Sequence, residues 1–362
     1  MTPPQTPSSG TMRRVVVAAE GPQVVRADVP RPGPAEVLVR SVLAGVCGSD
    51  THAAAGLHPW ISLPYVPGHE VVGVVAETGA GVSSVRPGLR VTVEPYLPCW
   101  HCKQCLRGLE NICENLGFLG CGDPQGAMAD YFTVDARRIH VIPDELDDRA
   151  AALIEPLSTP VHAVRLAGGV AGRTVAVLGA GAIGLLLLRT VVAQGAKRVV
   201  VTAPRAERRQ LALALGADAA VDAHADDAVD QVREALGESV DVVFDCVANE
   251  STTRQAIGMA DKGGTVVVVG VPSGEVRLPL QLVQDRQIRI QGSATYLPQD
   301  VADAIELLRS GVVRPDDLVT AVVPLDSVAD AFRQAASGEN IKVLLVVDDA
   351  AESAATDQQQ KG

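Results

Sequence analysis

The stretch TVAVLGAGAIGLLLLRTVVAQGA, residues 174–196, decides the fold. Its first five residues are apolar or β-branched, as in a buried strand, and the run after the glycines is long enough for a helix. Between them, Gly179, Gly181 and Gly184 have the spacing G-x-G-x-x-G. Glycines at this spacing allow a tight turn and let a pyrophosphate approach the helix N-terminus, where free N–H groups and the helix dipole favour an anion. Because a strand and a helix flank the motif, it predicts a dinucleotide site.

The chain around this motif alternates apolar strands with helical stretches. Strand-like runs such as RVVVTA (198–203) and GTVVVVG (264–270) are separated by helical runs such as AERRQLALALGA (206–217). Alternation of this kind predicts βαβ units and a parallel sheet. Two further helices are expected, at 300–311 and 326–338, each with an Asp as its N-cap and a Gly at its end.

The N-terminal third has a different pattern. From Arg13 to about Asp135, short β-branched runs such as VVGVVAE (71–77) are broken by Gly and Pro, which is typical of an all-β region. Residues 1 to about 12 and the final stretch, AAESAATDQQQKG (350–362), are polar or small and lack periodicity. Both are expected to be loose tails.

Length and charge narrow the class of protein. A chain of 362 residues suits two domains that each bury a core. The net charge of −12 argues against nucleic acid as the partner and favours a small-molecule substrate. The N-terminus lacks the apolar core of a signal peptide, and no run is long enough for a membrane span. We therefore expect a cytoplasmic protein with no membrane partner.

Four of the seven cysteines lie in fifteen residues, CWHCKQCLRGLENIC (99–113). Their spacing, C-x2-C-x2-C-x7-C, lets four thiolates converge on one tetrahedral ion, and zinc is the preferred ion. With all four positions filled by sulfur, such a zinc would be structural. Buried free thiols, a redox pair and an iron–sulfur cluster remain alternatives. The predicted ligands are Cys99, Cys102, Cys105 and Cys113.

A second metal site is predicted from residues that lie far apart in the sequence. Cys47, His69 and Glu155 offer a thiolate, an imidazole and a carboxylate, and they leave the fourth position of a tetrahedral zinc to water or a substrate oxygen. Each residue alone is weak evidence, because a single Cys or His usually has a structural role. Their joint presence indicates a catalytic zinc.

The order of these motifs resembles a known family. GVCGSDTH, PGHE, the four-cysteine lobe, EPLSTPVHA, LGAGAIG and GENIKVLL are similar to the zinc-dependent medium-chain dehydrogenases, and the resemblance spans about residues 13–347. The Glu in EPL resembles the sorbitol and threonine dehydrogenase branch, whereas the ethanol-oxidising branch usually has Cys there. The resemblance implies that Cys47, His69 and Glu155 bind the catalytic zinc. Glu70 would lie beside the ion, where it could exchange with the water.

The resemblance also implies a proton path and an architecture. Ser49 would take the proton of the substrate, and His52 would end the relay, reached through the cofactor ribose. The fold implied is α/β: a GroES-like, β-rich catalytic domain (1–160, with the zinc lobe at 95–115), a Rossmann domain with a doubly wound parallel sheet (161–294), and a return to the catalytic domain with a C-terminal tail (295–362). A homodimer or homotetramer is expected.

The choice between NAD and NADP depends on the residue at the end of the second strand of the predicted parallel sheet, RVVVTA (198–203). An NAD-binding fold usually has an acidic residue there, but the position falls at Ala203, and Arg205 and Arg208 follow. Without a carboxylate a 2′-phosphate is not repelled, and either arginine could pair with it. This favours NADP over NAD. Alternatively, the arginines form a solvated helix face, and Glu207 holds the ribose.

The function implied is the reversible oxidation of a secondary alcohol to a ketone by NAD(P), with two zincs per chain. A polyol, cyclitol, amino sugar or hydroxy-amino acid fits the resemblance better than ethanol. Trp60, Phe118 and Tyr296 are candidates for the substrate pocket. Two rivals remain: a zinc-free reductase of quinones or activated double bonds, and a non-catalytic NADPH sensor with a structural zinc lobe.

Overall fold

The computed structural model describes residues 10–348. These form two compact units: one comprises the described residues up to Glu155 and from Arg314 onwards, and the other is Pro156–Val313. The expected C-terminal tail lies outside the described residues, as does most of the expected N-terminal tail. The first strand begins at Thr11, slightly earlier than predicted, because its residues pair with a second strand that ends at Asp28.

The first unit is β-rich, as the sequence predicted, and its centre is a seven-stranded sheet. The long strand β3 (Glu36–Val46) pairs with β4 (Glu70–Thr78), β8 (Tyr131–Asp135) and β17 (Lys342–Val346), all antiparallel. The order along the sheet is β16-β17-β3-β4-β5-β9. The other elements of this unit are β1 Thr11–Ala18, β2 Gly21–Asp28, α1 Gly48–Ala54, β5 Arg90–Val93, β6 Tyr96–Leu97, β7 Gly117–Phe118, β9 Ile139–Val141, α2 Asp148–Ala151, β16 Val319–Pro324 and α10 Val328–Ala336.

Valines supply most of the core between these strands, as expected for a chain in which aromatic residues are only 3%. Alternate residues of a strand face the same side, so β-branched side chains at alternate positions build a continuous apolar surface. One such cluster, fully or nearly fully buried, contains Val37, Val39, Val71, Val75, Val91, Val93, Leu119, Ala127, Phe132 and Val134.

The second unit is built on six parallel strands in the order β12-β11-β10-β13-β14-β15. The order runs outward in both directions from the central β10, so this is the doubly wound sheet predicted from the alternating pattern. Its elements are α3 Ile154–Leu166, β10 Thr174–Leu178, α4 Ala182–Ala193, β11 Arg198–Thr202, α5 Ala206–Ala214, β12 Ala219–Val221, α6 Ala228–Leu236, β13 Val240–Asp245, α7 Glu250–Met259, β14 Ala260–Val268, α8 Leu280–Asp285, β15 Arg289–Gly292 and α9 Pro298–Arg309.

Two helix starts differ from the sequence prediction. Helix α9 begins at Pro298, two residues before the expected Asp300, whose carboxylate instead accepts a 2.8 Å hydrogen bond from the N–H of Leu297. Helix α10 has Ser327, not Asp326, as its N-cap. Proline is favourable in the first turn because its missing N–H is not needed there, so α9 starts earlier than its apolar periodicity indicates.

Within residues 10–348, none of the helices is both long and apolar enough to cross a membrane.

Candidate active site

The four cysteines of the lobe lie together as their spacing predicted. Their sulfur atoms are all within 4.8 Å of one another, with Cys102 Sγ 3.5 Å from Cys105 Sγ and 3.8 Å from Cys113 Sγ. A tetrahedron with zinc–sulfur bonds of about 2.3 Å has edges of about 3.8 Å. The arrangement therefore fits a four-sulfur zinc site.

Backbone N–H groups point at these sulfur atoms. The N–H of Cys99 lies 3.2 Å from Cys113 Sγ, and the N–H groups of Cys105 and Glu114 each lie 3.5 Å from Cys102 Sγ. An N–H directed at sulfur stabilises the thiolate, and a hydrogen bond from the backbone of His101 is the main reason why the pKa of Cys99 is lowered to about 6. Backbone hydrogen bonds also lower the pKa of Cys102, whereas burial raises that of Cys105, so the backbone donors favour the thiolate at Cys99 and Cys102.

A second group of metal-binding atoms lies in the same unit. One ligand atom each from Cys47, His69 and Glu70 lies within 4.8 Å of the others. Cys47 is the N-cap of α1, directly after β3, while His69 precedes β4 and Glu70 is its first residue. Because β3 and β4 are neighbours in the sheet, the end of one strand and the start of the other meet at the same edge.

Glycine makes this edge possible. Gly68 has φ +107°, and a Cβ there would lie 2.2 Å from the backbone N of Met128. The chain before His69 is thus pressed against the segment that carries residues 118–128, and the ring of Phe118 contacts the His69 ring edge-to-face at 5.7 Å. A side chain at position 68 would push His69 away from Cys47.

The electrostatics of this group suit a cation. Burial alone would lower the pKa of His69, but Cys121 and Cys47 raise it well above its ordinary value. Cys121 Sγ lies 3.8 Å from His69 Nδ1. Asp50, fully buried, accepts a 3.0 Å hydrogen bond from the N–H of Cys47. A thiolate and a carboxylate that lie this close together would be stabilised by a divalent ion.

The predicted ligand Glu155 lies in the first turn of α3 and is 8% exposed. Among the described residues it is not part of the group formed by Cys47, His69 and Glu70. Its charge does act on Lys342. Burial alone would lower the pKa of Lys342, but the negative charges of Glu70, Cys47 and Glu155 outweigh burial and raise this pKa above its ordinary value.

The glycine motif in the second unit has the geometry of a dinucleotide turn. Gly179 follows β10 with φ +99°, and a Cβ on Gly184 would lie only 1.8 Å from the carbonyl oxygen of Gly179. At Gly181, the N-cap of α4, a Cβ would meet no atom within 4 Å. The first glycine makes the turn, the third lets helix and strand pack closely, and the second leaves room for a pyrophosphate at the helix N-terminus.

Family models match both halves of the chain. Residues 33–144 match the alcohol dehydrogenase GroES-like domain, and residues 182–310 match the zinc-binding dehydrogenase family. The chain belongs to the zinc-dependent medium-chain dehydrogenases. Its reaction is therefore the oxidation of a secondary alcohol with NAD(P), and the predicted GroES-like and Rossmann folds are confirmed.

Individual relatives place this medium-chain dehydrogenase in the sorbitol branch. An Aspergillus clavatus protein named "Probable D-xylulose reductase A" is 34% identical over 351 residues, 93% of this chain and 98% of the relative. The sorbitol dehydrogenase of Bacillus subtilis is 31% identical over 318 residues, 86% of this chain and 90% of the relative. A zinc-binding dehydrogenase from Sinorhizobium meliloti 1021, solved with NADP, has a TM-score of 0.85 and 33% identity, covering 93% of this chain and 100% of that one.

In this dehydrogenase, the two residues expected to carry the proton both lie on α1. Ser49 is three residues before His52, so the two lie about one helical turn apart. The Oγ of Ser49 is buried and has no hydrogen-bond partner among the described residues. His52, in contrast, is exposed. A buried hydroxyl without a partner is unusual and calls for an explanation, such as a ligand that bonds to it.

The turn after β11 carries the residues expected to select the nucleotide. Ala203 is buried, and the Nη1 of Arg209 donates to the carbonyl oxygens of both Ala203 and Pro204 at 2.8 Å. Arg209 therefore stabilises the turn itself. Burial lowers the pKa of Arg208, and the positive charge of Arg205 lowers it further. The Arg205 and Arg208 guanidinium groups thus lie close enough to interact, and the carboxylate of Glu207 raises the pKa of Arg208 in turn.

Sequence reasoning missed several neighbours of the group formed by Cys47, His69 and Glu70. Cys121 lies three residues after Phe118, a candidate for the substrate pocket, but its contact with His69 carries no sequence signal. Burial lowers the pKa of His58, and His52 and His69 lower it further, so His58 lies near both. Of the pocket candidates, Trp60 is 77% exposed and Tyr296 is buried.

Proposed function

We propose that this chain oxidises a polyol-type secondary alcohol at a zinc ion held by Cys47, His69 and Glu155, with NADP as the hydride acceptor. The observation that carries this proposal is the buried Oγ of Ser49, which lacks a partner among the described residues and lies two positions after Cys47. A hydroxyl kept in this state next to a metal-binding thiolate is suited to bond the substrate oxygen.

The ligand set combines two anions and one neutral group. Thiolate and carboxylate would balance the charge of Zn²⁺, while the His69 imidazole completes three protein ligands and leaves one position for the substrate. Glu70 would lie beside the ion as a fourth anionic group. Cys99, Cys102, Cys105 and Cys113 would hold the second, structural zinc, and their sulfur–sulfur distances support this assignment.

The proton leaves along residues of this chain. When bound, zinc acts as a Lewis acid that lowers the pKa of the alcohol towards neutrality. Ser49 would accept the hydroxyl proton of the substrate while it releases its own proton towards the cofactor ribose. His52, one turn along α1 and exposed, would receive a proton from that relay and release one to water.

The substrate class follows from the relatives and from the carboxylate ligand. The relatives named for xylulose and sorbitol act on chains that carry several hydroxyl groups. Phe118, against the ring of His69, would limit the space beside the reacting carbon. We therefore propose a polyol or a related sugar acid rather than a simple alcohol such as ethanol.

NADP is the proposed nucleotide because Ala203 stands where an acidic residue would repel the 2′-phosphate, and because Arg205 and Arg208 lie close together after the turn. The glycines Gly179, Gly181 and Gly184 would hold the pyrophosphate. One solved relative is bound to NADP and another to NADH, so the choice rests on Ala203 and the two arginines.

The localisation, the oligomeric state and the domain bounds also belong to this proposal. A metal-binding lobe of four thiolates, in a chain whose seven cysteines are all free in the structure, suits the reducing conditions of the cytoplasm. A homodimer or homotetramer is proposed on the family resemblance, and size-exclusion chromatography with light scattering measures it directly. The proposed catalytic domain (1–160 with 295–362) and nucleotide-binding domain (161–294) differ from the compact units in α9, which lies in the unit Pro156–Val313.

The decisive experiment measures metal content and activity together. Purified protein should contain two zincs per chain, and Cys47→Ala should reduce the content to one and abolish oxidation of polyols while nucleotide binding remains. Glu155→Ala should likewise lose alcohol oxidation but bind NADP. One zinc per chain that Cys47→Ala does not change would overturn the proposal and favour the zinc-free reductase or the NADPH sensor.

A further inference from the structure

A buried carboxylate lies at the carboxyl end of β13, next to the glycine turn. Asp245 is the last residue of this strand and is fully buried. Its Oδ1 accepts hydrogen bonds from the N–H groups of Val247 and Ala248, at 3.0 and 2.8 Å. Its Oδ2 accepts from the hydroxyl groups of Thr252 and Thr253 on α7, at 3.0 and 3.3 Å. One oxygen therefore holds the 246–249 turn, which joins β13 to α7, and the other oxygen is held by the helix.

The 246–249 turn contains a backbone conformation that is uncommon for a residue with a side chain. Ala248 has φ +57°, in the left-handed region. Such residues persist only where the surrounding structure holds them, and they cluster at ligand-binding sites. The two N–H groups that donate to Asp245 Oδ1 belong to Ala248 and to the residue before it. The carboxylate therefore stabilises this conformation directly.

Val247, in the same turn, is packed between two glycines. A Cβ on Gly179, which follows β10, would lie 2.7 Å from Val247 Cγ2, and a Cβ on Gly270, just after β14, would lie 2.8 Å from the carbonyl carbon of Val247. Val247 is nevertheless 41% exposed. An apolar side chain that is packed on one side and open on the other, beside the turn assigned to the pyrophosphate, is placed to contact a bound nucleotide.

The strand order indicates which half of the nucleotide would reach this turn. The order is β12-β11-β10-β13-β14-β15, so it reverses between β10 and β13. A dinucleotide binds across the carboxyl ends of the strands at such a reversal. Ala203, proposed to face the ribose that carries the 2′-phosphate, follows β11 on one side of the glycine turn, and the 246–249 turn lies on the other side. The nicotinamide half is therefore the part that would extend over the 246–249 turn.

We propose that Asp245 is a positioning residue for the nicotinamide half of the nucleotide. Its carboxylate fixes the 246–249 turn in its left-handed conformation, and it thereby keeps Val247 against Gly179 with its open side towards the nucleotide. Asp245 acts through the turn and does not itself touch the nucleotide, because its side chain is buried behind the turn. This inference rests on the nucleotide site proposed at the glycine motif.

Two nucleotide probes test this role. Adenosine 2′,5′-bisphosphate carries the adenosine half of NADP and lacks the nicotinamide half. Asp245→Ala removes both acceptor oxygens, so calorimetric titration should show NADP binding weakened by about tenfold or more, and binding of the bisphosphate changed by less than about twofold. Asp245→Asn keeps an oxygen that accepts from the turn, and its amide can donate to the threonine hydroxyls. This conservative variant should bind both probes as wild type does.

Asp241 provides a matched control on the same strand. Its Oδ2 accepts from the N–H and the hydroxyl of Thr174, at 2.8 and 3.1 Å. It lies about 13 Å from Asp245 along β13, at the edge of the sheet opposite to the glycine turn. Asp241→Ala should lower the melting temperature and leave the affinity for NADP unchanged. A role of Asp245 in stability alone predicts the same result for Asp245→Ala, and that result would overturn the inference.

If Asp245→Ala does not fold, Thr252→Val decides the question. It keeps the carboxylate of Asp245 and removes the closer of its two hydroxyl donors. NADP binding should then weaken by about threefold or more while binding of the bisphosphate is unchanged, and an unaltered affinity for NADP would refute the inference.

The choice of nucleotide is tested separately from the role of Asp245. If wild type binds NAD rather than NADP, the same comparison is made with NAD and AMP. If wild type binds neither dinucleotide, the proposed nucleotide site fails, and the inference fails with it.

Discussion

The substitution Gly184→Ala tests the close packing of helix and strand in the nucleotide-binding unit. The new methyl carbon would lie 1.8 Å from the carbonyl oxygen of Gly179 and 2.9 Å from its carbon. An ordinary contact begins at 3.4 Å, so helix α4 and the turn after β10 must separate by about 1.6 Å. Because the obstacle is backbone, no side chain can rotate to relieve the clash.

Two effects of opposite sign set the size of the change in stability. Alanine is favoured over glycine in a helix by about 1 kcal/mol. Overpacking of a filled site costs about 1–3 kcal/mol, and more when backbone must move. We expect a net loss of about 2 kcal/mol in the free energy of unfolding, or about 4–8 °C in the melting temperature. Because the N-terminus of α4 moves, NADP binding should weaken by about tenfold or more.

Thermal melts with and without NADP measure both effects, and two other glycines serve as controls. A Cβ on Gly258 of α7 would meet its nearest neighbour, Val229, at an ordinary 3.5 Å, so Gly258→Ala should leave the melting temperature unchanged or raise it. A Cβ on Gly181 would meet nothing within 4 Å. Gly181→Ala should therefore keep the stability of the free protein and lose only the stabilisation by NADP.

A melting temperature for Gly184→Ala equal to that of wild type would refute the packing argument. Full binding of NADP by Gly181→Ala would refute the assignment of that open space to the pyrophosphate.

Three further predictions concern other parts of the molecule. Cys113→Ser should release one zinc per chain and lower the melting temperature, while zinc bound in a Cys47-dependent manner remains, as elemental analysis can measure. Arg208→Ala should raise the KM for NADP without raising that for NAD, and equal effects on both would indicate a solvated helix face instead. Burial alone would raise the pKa of Asp300, but hydrogen bonds from His162 and Arg165 hold it below the ordinary value. The stability that ionised Asp300 contributes is therefore complete above a pH of about 4, and it is lost as the pH falls through the lower folded-state pKa. Asp300→Asn should be less stable than wild type at pH 7. Urea unfolding should show this difference in stability closing below a pH of about 4.

The features that were predictable from sequence are those whose chemistry is local. Gly179, Gly181 and Gly184 lie in one turn, and the lobe cysteines lie within fifteen residues, so their spacing alone limits their geometry. The alternation of strands and helices likewise predicted the parallel sheet, because each βαβ unit is determined by its own residues. The predicted starts of α9 and α10 were wrong because Pro298 opens the first turn of α9 and a 3-10 turn, Leu325–Ser327, directly precedes α10.

Contacts between distant segments could not be foreseen in the same way. Cys121 reaches His69 because Gly68 lets the chain before His69 pack against residues 127–128, an approach that depends on backbone geometry rather than on residue type. His58 is near His52 and His69 for a similar reason: it lies on the loop after α1, whose path no periodicity specifies. Residue identity indicated which side chains could act, but only the fold indicates which of them meet.

Glu70, which lies in one group with Cys47 and His69, illustrates this limit most clearly. The sequence motif places Glu70 directly after a predicted zinc ligand, and nothing local says whether its carboxylate points at the ion or away from it. In the structure both of its oxygens accept hydrogen bonds from Lys342 Nζ, 272 residues further along the chain, and a Cβ on Gly45 would lie 1.9 Å from one of them. A strand register one residue different would turn Lys342 to the other face of the sheet and leave Glu70 uncompensated. The surroundings of Glu70 are therefore set by the pairing of β17 with β3 as much as by its own sequence motif.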